Sequence, residues 1–275
     1  MNKLKLVSIL SVSVALTGCF EGRKNTEQLC ESNPALNCNA LNIDDGQCRL
    51  PRTDLIWHRF EIQKNPSDDN KIKEYQILAE YEKCLTLAAQ IQPLTLSDRK
   101  SKRFTTLMHI QEEQTRVVDE LKQSTSPQAY YFLWSQEGDR EAQRQFLQLE
   151  GTPALENAAM QYALATFYTD RDAEKTLKLL NRSLELDNGK QTNIEAVKSL
   201  ASINLQQKHR ELAYVWAQVA AEYNVKTTDK KNYVILYGFD DDKYRQLDEI
   251  ADDVHSALNK GNYRSDMIPS FGNGN

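Results

Sequence analysis

The chain has 275 residues, a formal net charge of −5 and an apolar content of 40%. An acidic chain with no basic block argues against nucleic acid and against electrostatic adhesion to anionic lipid as its main business. With only 10 glycines and 7 prolines there is little turn chemistry for an all-β fold, so the body is expected to be all-α.

Met1 to Lys5 carry two lysines and no acid, and Leu6 to Leu16 (LVSILSVSVAL) carry no charge. That is the layout of a secretory signal peptide, and it is shorter than the about 20 residues needed to span a bilayer. The run ends in Leu16-Thr17-Gly18-Cys19. These four residues resemble the bacterial lipobox, [LVI]-[ASTVI]-[GAS]-C. The resemblance implies removal of residues 1–18 and attachment of lipid at Cys19, an anchor of several acyl chains that holds a protein stably. Phe20 follows where an inner-membrane retention signal would place Asp. By similarity to Gram-negative lipoproteins, this implies an outer-membrane, periplasm-facing location.

With Cys19 assigned to lipid, Cys30, Cys38, Cys48 and Cys84 remain, an even set suited to an oxidising compartment. Zinc is the weaker reading, because no C-x₂-C pair exists and His58 has no spaced partner; no metal and no cofactor is expected. Of the three possible pairings, Cys30–Cys38 with Cys48–Cys84 is favoured. The first closes a short loop around Asn33-Pro34. The second staples the cysteine-bearing segment, 19–66, onto the first long helix. That segment reads as irregular, with turn signals at SNPALNCN and DDGQC and apolar anchors in DLIWHRFEI.

A long helical hairpin is expected over 67–125. Its first helix opens at Asp68-Asp69 and stops before Pro93; its second is capped by Ser97 and runs to about Lys122. LTLSDRKSKRF (Leu94 to Phe104) shares an acid and arginines with peptidoglycan-binding signatures but not their spacing, and reads as a charged helix start. Ser126-Pro127 opens the next helix, and YYFLW (Tyr130 to Trp134) reads as core more readily than as a stacking platform.

Between 126 and 224 the pattern shortens and repeats. LATFY (Leu164 to Tyr168) returns as LASIN (Leu200 to Asn204), and TLKLLNRSLEL (Thr176 to Leu186) as AYVWAQVAAEY (Ala213 to Tyr223), 36 and 37 residues on. Small residues at Ala165, Thr176, Ser183 and at Ala201, Ala213, Ala220 mark the same positions in two units. These features resemble tetratricopeptide and Sel1-like repeats, with departures: no Trp in the first helix, no closing Pro, and Asn204 where an aromatic is usual. The resemblance implies antiparallel helical hairpins stacked as a right-handed array. It also implies a partner-binding face on the first helix of each pair, carried onto Tyr162, Thr166, Lys198, Ser202 and Gln206.

The run NYVILYGF (Asn232 to Phe239) is the one strand-like stretch, or else a buried connection within 225–264. Asp240-Asp241-Asp242 then caps a last helix to about Lys260; without a glycine it is no calcium loop. Residues 265–275 are expected to be disordered. Taken whole, LC…NPALNC…LNIDDGQCR (Leu29 to Arg49) followed by the repeat-like half resembles an uncharacterised group of Gram-negative lipoproteins.

No nucleophile elbow, zinc-protease or phosphate-loop motif is present, and the four histidines, His58, His109, His209 and His255, fall on different elements. The expected function is therefore non-enzymatic: an anchored scaffold that binds another envelope protein or peptide segment, and no nucleic acid. An envelope hydrolase with an unrecognised carboxylate site, and a spacer without specific ligand, stay open beside it.

Overall fold

A computed structural model describes residues 25–91, 98–227 and 230–271. Among these residues the structure is all-helical and has no strand. The chain divides into two compact units that interleave along the sequence: one holds the chain to Asn65 together with Ile77–Gln111, the other Pro66–Gln76 together with Glu112 onward.

The first unit opens with α1 (Thr26–Ser32), whose N-cap Asn25 forms a capping box with Gln28. Two 3₁₀ turns follow, Pro34–Leu36 and Cys38–Leu41. Asn37, Asn42 and Cys48 take left-handed backbone, with φ of 51°, 53° and 56°. Asparagine tolerates this conformation well, which lets the chain reverse repeatedly between short helices. α2 (Arg49–Lys64) is a 16-residue helix that buries Arg52, Leu55 and Ile56. Here the structure corrects the expectation of an irregular segment: DLIWHRFEI is helical. Pro51 does not prevent it, because a first-turn proline removes only an N–H that has no intrahelical partner.

α3 (Asp68–Ala88) and α4 (Asp98–Leu121) each run through both units. Ser67, with its hydroxyl on the Asn70 N–H at 3.2 Å, caps α3; Ser97 lies outside the described residues. Within the first unit, Leu78, Tyr81 and Leu85 of α3 and Ile110 of α4 are fully buried. The disulfides pair Cys30 with Cys38 and Cys48 with Cys84, at Cα–Cα separations of 5.9 and 5.7 Å. The second bridge ties the N-cap of α2 to α3.

The second unit carries three successive helix pairs: α5 (Pro127–Glu137) with α6 (Arg140–Gln148), α7 (Ala158–Tyr168) with α8 (Ala173–Glu185), and α9 (Ile194–Gln206) with α10 (Arg210–Glu222). Five of these six helices start at side-chain caps, from Ser126, Asp139, Asn157, Asp172 and Asn193, while α10 starts at His209 without one. Small residues let the helices approach. Ala165, Ala213 and Ala220 are buried, as are Thr176 and Ser183, and the Ser183 hydroxyl donates to the Ala158 carbonyl of the paired helix at 2.7 Å. Trp216 and Val219 fill the centre of a core that α12 (Asp241–Lys260) completes with Leu247, Val254 and Leu258.

Two details differ from expectation. NYVILYGF is not a strand: α11 (Lys230–Leu236) covers most of it. Tyr233 and Tyr237, one helical turn apart, go inward against the Tyr214 ring, leaving Val234 and Ile235 exposed. Nor is the segment from Ser265 to Phe271 disordered. It makes a 3₁₀ turn at Ser265–Met267 and sets Ile268 and Phe271 against the core; Gly272 to Asn275 lie outside the described residues. This closing arm depends on a backbone crossing. Gly189 and Gly261, at φ +75° and +66°, meet so closely that a Cβ on Gly189 would lie 2.5 Å from the Gly261 nitrogen.

Candidate functional surfaces

Cys19 and the lipobox precede the described residues. The four remaining cysteines are all in bridges and supply no free thiol.

The five proposed partner-contacting positions lie on the first helices of two successive pairs. Thr166 on α7 and Lys198, Ser202 and Gln206 on α9 are exposed, while Tyr162 is half-buried. Burial, together with the nearby Tyr131 hydroxyl and Glu195 carboxylate, holds the Tyr162 hydroxyl above its ordinary pKa. Tyr131 belongs to α5, so the Tyr162 hydroxyl feels the charge of one residue from each of the neighbouring first helices, Tyr131 and Glu195. Lys198 extends that row by pairing with Glu195 at 2.8 Å. The two hydroxyls turn back on their own helices, Thr166 donating to the Ala163 carbonyl at 2.7 Å and Ser202 to the Lys198 carbonyl at 3.0 Å. What the row offers a partner is therefore aromatic surface, a phenol, and one compensated lysine–glutamate pair.

The YYFLW stretch divides between core and rim. Phe132 and Leu133 are buried, whereas Tyr131 and Trp134 lean on the buried Phe146 ring at 5.8 and 5.9 Å.

The interior of the first unit also holds a polar cluster that sequence patterning did not announce. In the first unit the Arg103 guanidinium of α4 grips the Asp45 carboxylate through Nε and, at 3.1 Å, through Nη2; its Nη1 donates to the Ala88 carbonyl at 2.8 Å. Arg52 of α2 donates to the carbonyls of Asn42 and Asp45 at 2.7 and 2.9 Å, and the Tyr81 hydroxyl donates to the Leu41 carbonyl. Hydrogen bonds from Arg103, against the opposing effect of burial, hold the Asp45 carboxyl down at about 2. Burial pushes the Tyr81 hydroxyl up to about 12, so it stays a donor. Every group here satisfies a neighbour from the same unit. The cluster ties the Asn42–Cys48 loop to three helices, and its chemistry is structural.

Among the described residues no three His, Cys, Asp or Glu side chains converge as metal ligands, and no helix is long and apolar enough to cross a membrane. No curated protein and no solved structure matches the chain. A family model described as protein of unknown function (DUF2989) matches residues 16–218, from the last position before Thr17-Gly18-Cys19 into α10. Spanning about three quarters of its length, that match makes the chain a member of the DUF2989 family.

Proposed function

We propose that the protein is an outer-membrane-anchored, periplasm-facing lipoprotein that serves as a helical-repeat scaffold for another envelope protein. The observation that carries the scaffold reading is the row Tyr131, Tyr162, Glu195 and Lys198, drawn from three consecutive first helices. Stacked pairs that present their first helices side by side make an extended surface on which a peptide segment can lie. The tetratricopeptide-like reading is supported by the small residues of α7, α8 and α10 at the helix contacts. The lipid anchor is supported by Leu16-Thr17-Gly18-Cys19, all four within the family match.

Two experiments test the two halves separately. Replacing Cys19 by Ser is expected to abolish incorporation of a labelled fatty acid and to release the protein from the membrane fraction. Equal labelling of the variant would end the lipoprotein reading. For the scaffold, crosslinking in intact envelopes followed by capture is expected to recover a partner with the native chain. Lys198→Glu is expected to weaken that capture while changing stability by no more than about 0.5 kcal/mol, as usual for an exposed site. Undiminished capture would move the contact surface elsewhere.

A further inference from the structure

The second unit contains a cleft of about 540 Å³. It lies among α8, the end of α9, the start of α10, and the Ser265–Phe271 arm. One side is apolar: Leu177, Leu212 and Trp216 from the helices, Ile268 and Phe271 from the arm. The other is polar: Asn204, Gln207, Lys208 and His209, where α9 turns into α10.

The cleft has a traceable cause. Asn204 stands where the repeat pattern would put an aromatic ring, and a short amide cannot fill that volume. It is 2% exposed and fully engaged: its Nδ2 donates to the Leu200 carbonyl at 2.8 Å, and its Oδ1 lies 3.2 Å from His209 Nδ1. The imidazole is thereby fixed at the polar edge. The arm forms a built wall, since Ser265 donates to Glu185 through both N–H and hydroxyl, at 2.9 and 2.6 Å. The Tyr263 hydroxyl donates to Asn181 at 2.6 Å, with its ring against Trp216.

Charge around the cleft is uneven. Glu211 is partnered by Lys243 at 3.9 Å, and Glu185 by Arg182 and Ser265. Lys208 makes no ion pair among the described residues, and it holds a left-handed backbone, φ +62°, where glycine or asparagine would be less strained. Of the two charged residues that line the cleft, Glu211 has an ion-pair partner and Lys208 has none among the described residues.

We propose that this cleft is a binding site for a small amphiphilic acid, an apolar body of eight to ten carbons' reach carrying one anionic head group. The body lies among Leu177, Leu212, Ile268 and Phe271 over the buried Trp216, and the head group accepts from Lys208, beside the His209 ring whose Nδ1–H is held by Asn204. The volume exceeds that of such a molecule, and the combination of an apolar wall with a few convergent polar groups is that of ligand pockets generally. The site is independent of the scaffold reading and of the lipid anchor.

The test uses the full chain with Trp57→Phe and Trp134→Phe, so that Trp216 is the sole indole fluorophore. Decanoate is titrated below its micellar range, with decanol as the neutral control. Expected is a saturable change in Trp216 emission with decanoate, and binding of decanol weaker by on the order of tenfold, the worth of one charge-assisted hydrogen bond. Lys208→Ala should reduce decanoate affinity by a similar factor at unchanged melting temperature. Asn204→Phe, which restores the missing ring, should abolish binding; where it fails to fold, the Lys208 variant alone decides. No saturable response to decanoate, equal affinity for acid and alcohol, or indifference to Lys208→Ala would each overturn the proposal.

Discussion

Replacing Arg103 by methionine is expected to destabilise the protein by about 3–5 kcal/mol, the usual consequence of leaving a buried charge without its partner. Arg103 and Asp45 side chains are 5% and 4% exposed, so water cannot take the place of the guanidinium. The loss is larger than that of a surface ion pair because Arg103 also satisfies the last carbonyl of α3 at Ala88. The same pair predicts a pH dependence. The Asp45 carboxyl is lowered from 3.8 to about 2, so it contributes stability in full above about pH 4 and loses it as pH falls toward 2. At neutral pH that contribution is about 2 kcal/mol, from the free energy equivalent of one pKa unit. Denaturant melts of the native chain and of Asp45→Asn between pH 2 and 6 check this: the native curve should fall in the acid limb, and that component should vanish in the variant. An Arg103→Met protein within 0.5 kcal/mol of native, taken as about the size of a neutral surface change, would show that the contact is not formed.

Removing the Cys48–Cys84 bridge as a Ser/Ser pair is expected to lower stability by about 3–4 kcal/mol, since it closes a sequence separation of 36 residues. The Cys30–Cys38 bridge closes only 8, and its removal should have the smaller effect, about 2–3 kcal/mol. The ordering is the sharper test, because loop length is the variable that separates them. Melting curves of the two double variants against the oxidised native chain give it directly. A larger loss from opening Cys30–Cys38 would place the effect in native-state packing of the short turns and not in the unfolded chain.

Much of the architecture was legible because local signals agreed with tertiary burial. Asp240 before a periodic run, Ser126 before Pro127, and recurring small residues each have one structural solution, and the helices begin where those residues stand. α2 was hidden because its buried stripe includes Arg52, and because Asp-Gly turn chemistry ends only three residues before it starts. NYVILYGF misleads for a different reason. Its β-branched and aromatic composition favours a strand, but no second strand exists among the described residues to pair with it, and two tyrosines one turn apart find the Tyr214 ring. Arg103 did leave a trace. It falls seven residues before Ile110 and fourteen before Val117, both fully buried, so the helical register itself directs a charge inward. The partner, Asp45, sits 58 residues away in a turn, and nothing in local patterning links the two. The cleft beside Trp216 was foreshadowed only by Asn204, a departure from the repeat pattern whose meaning depends on what the C-terminal arm covers.

The two units share α3 and α4, and the chain passes between them at Asn65, again at Gln76 and again at Gln111. Neither unit is therefore a continuous stretch of gene. A single crossover or truncation that keeps one unit whole necessarily takes part of the other with it. Such a protein cannot be assembled by exchange of modules, and its N-terminal and C-terminal halves must be inherited together.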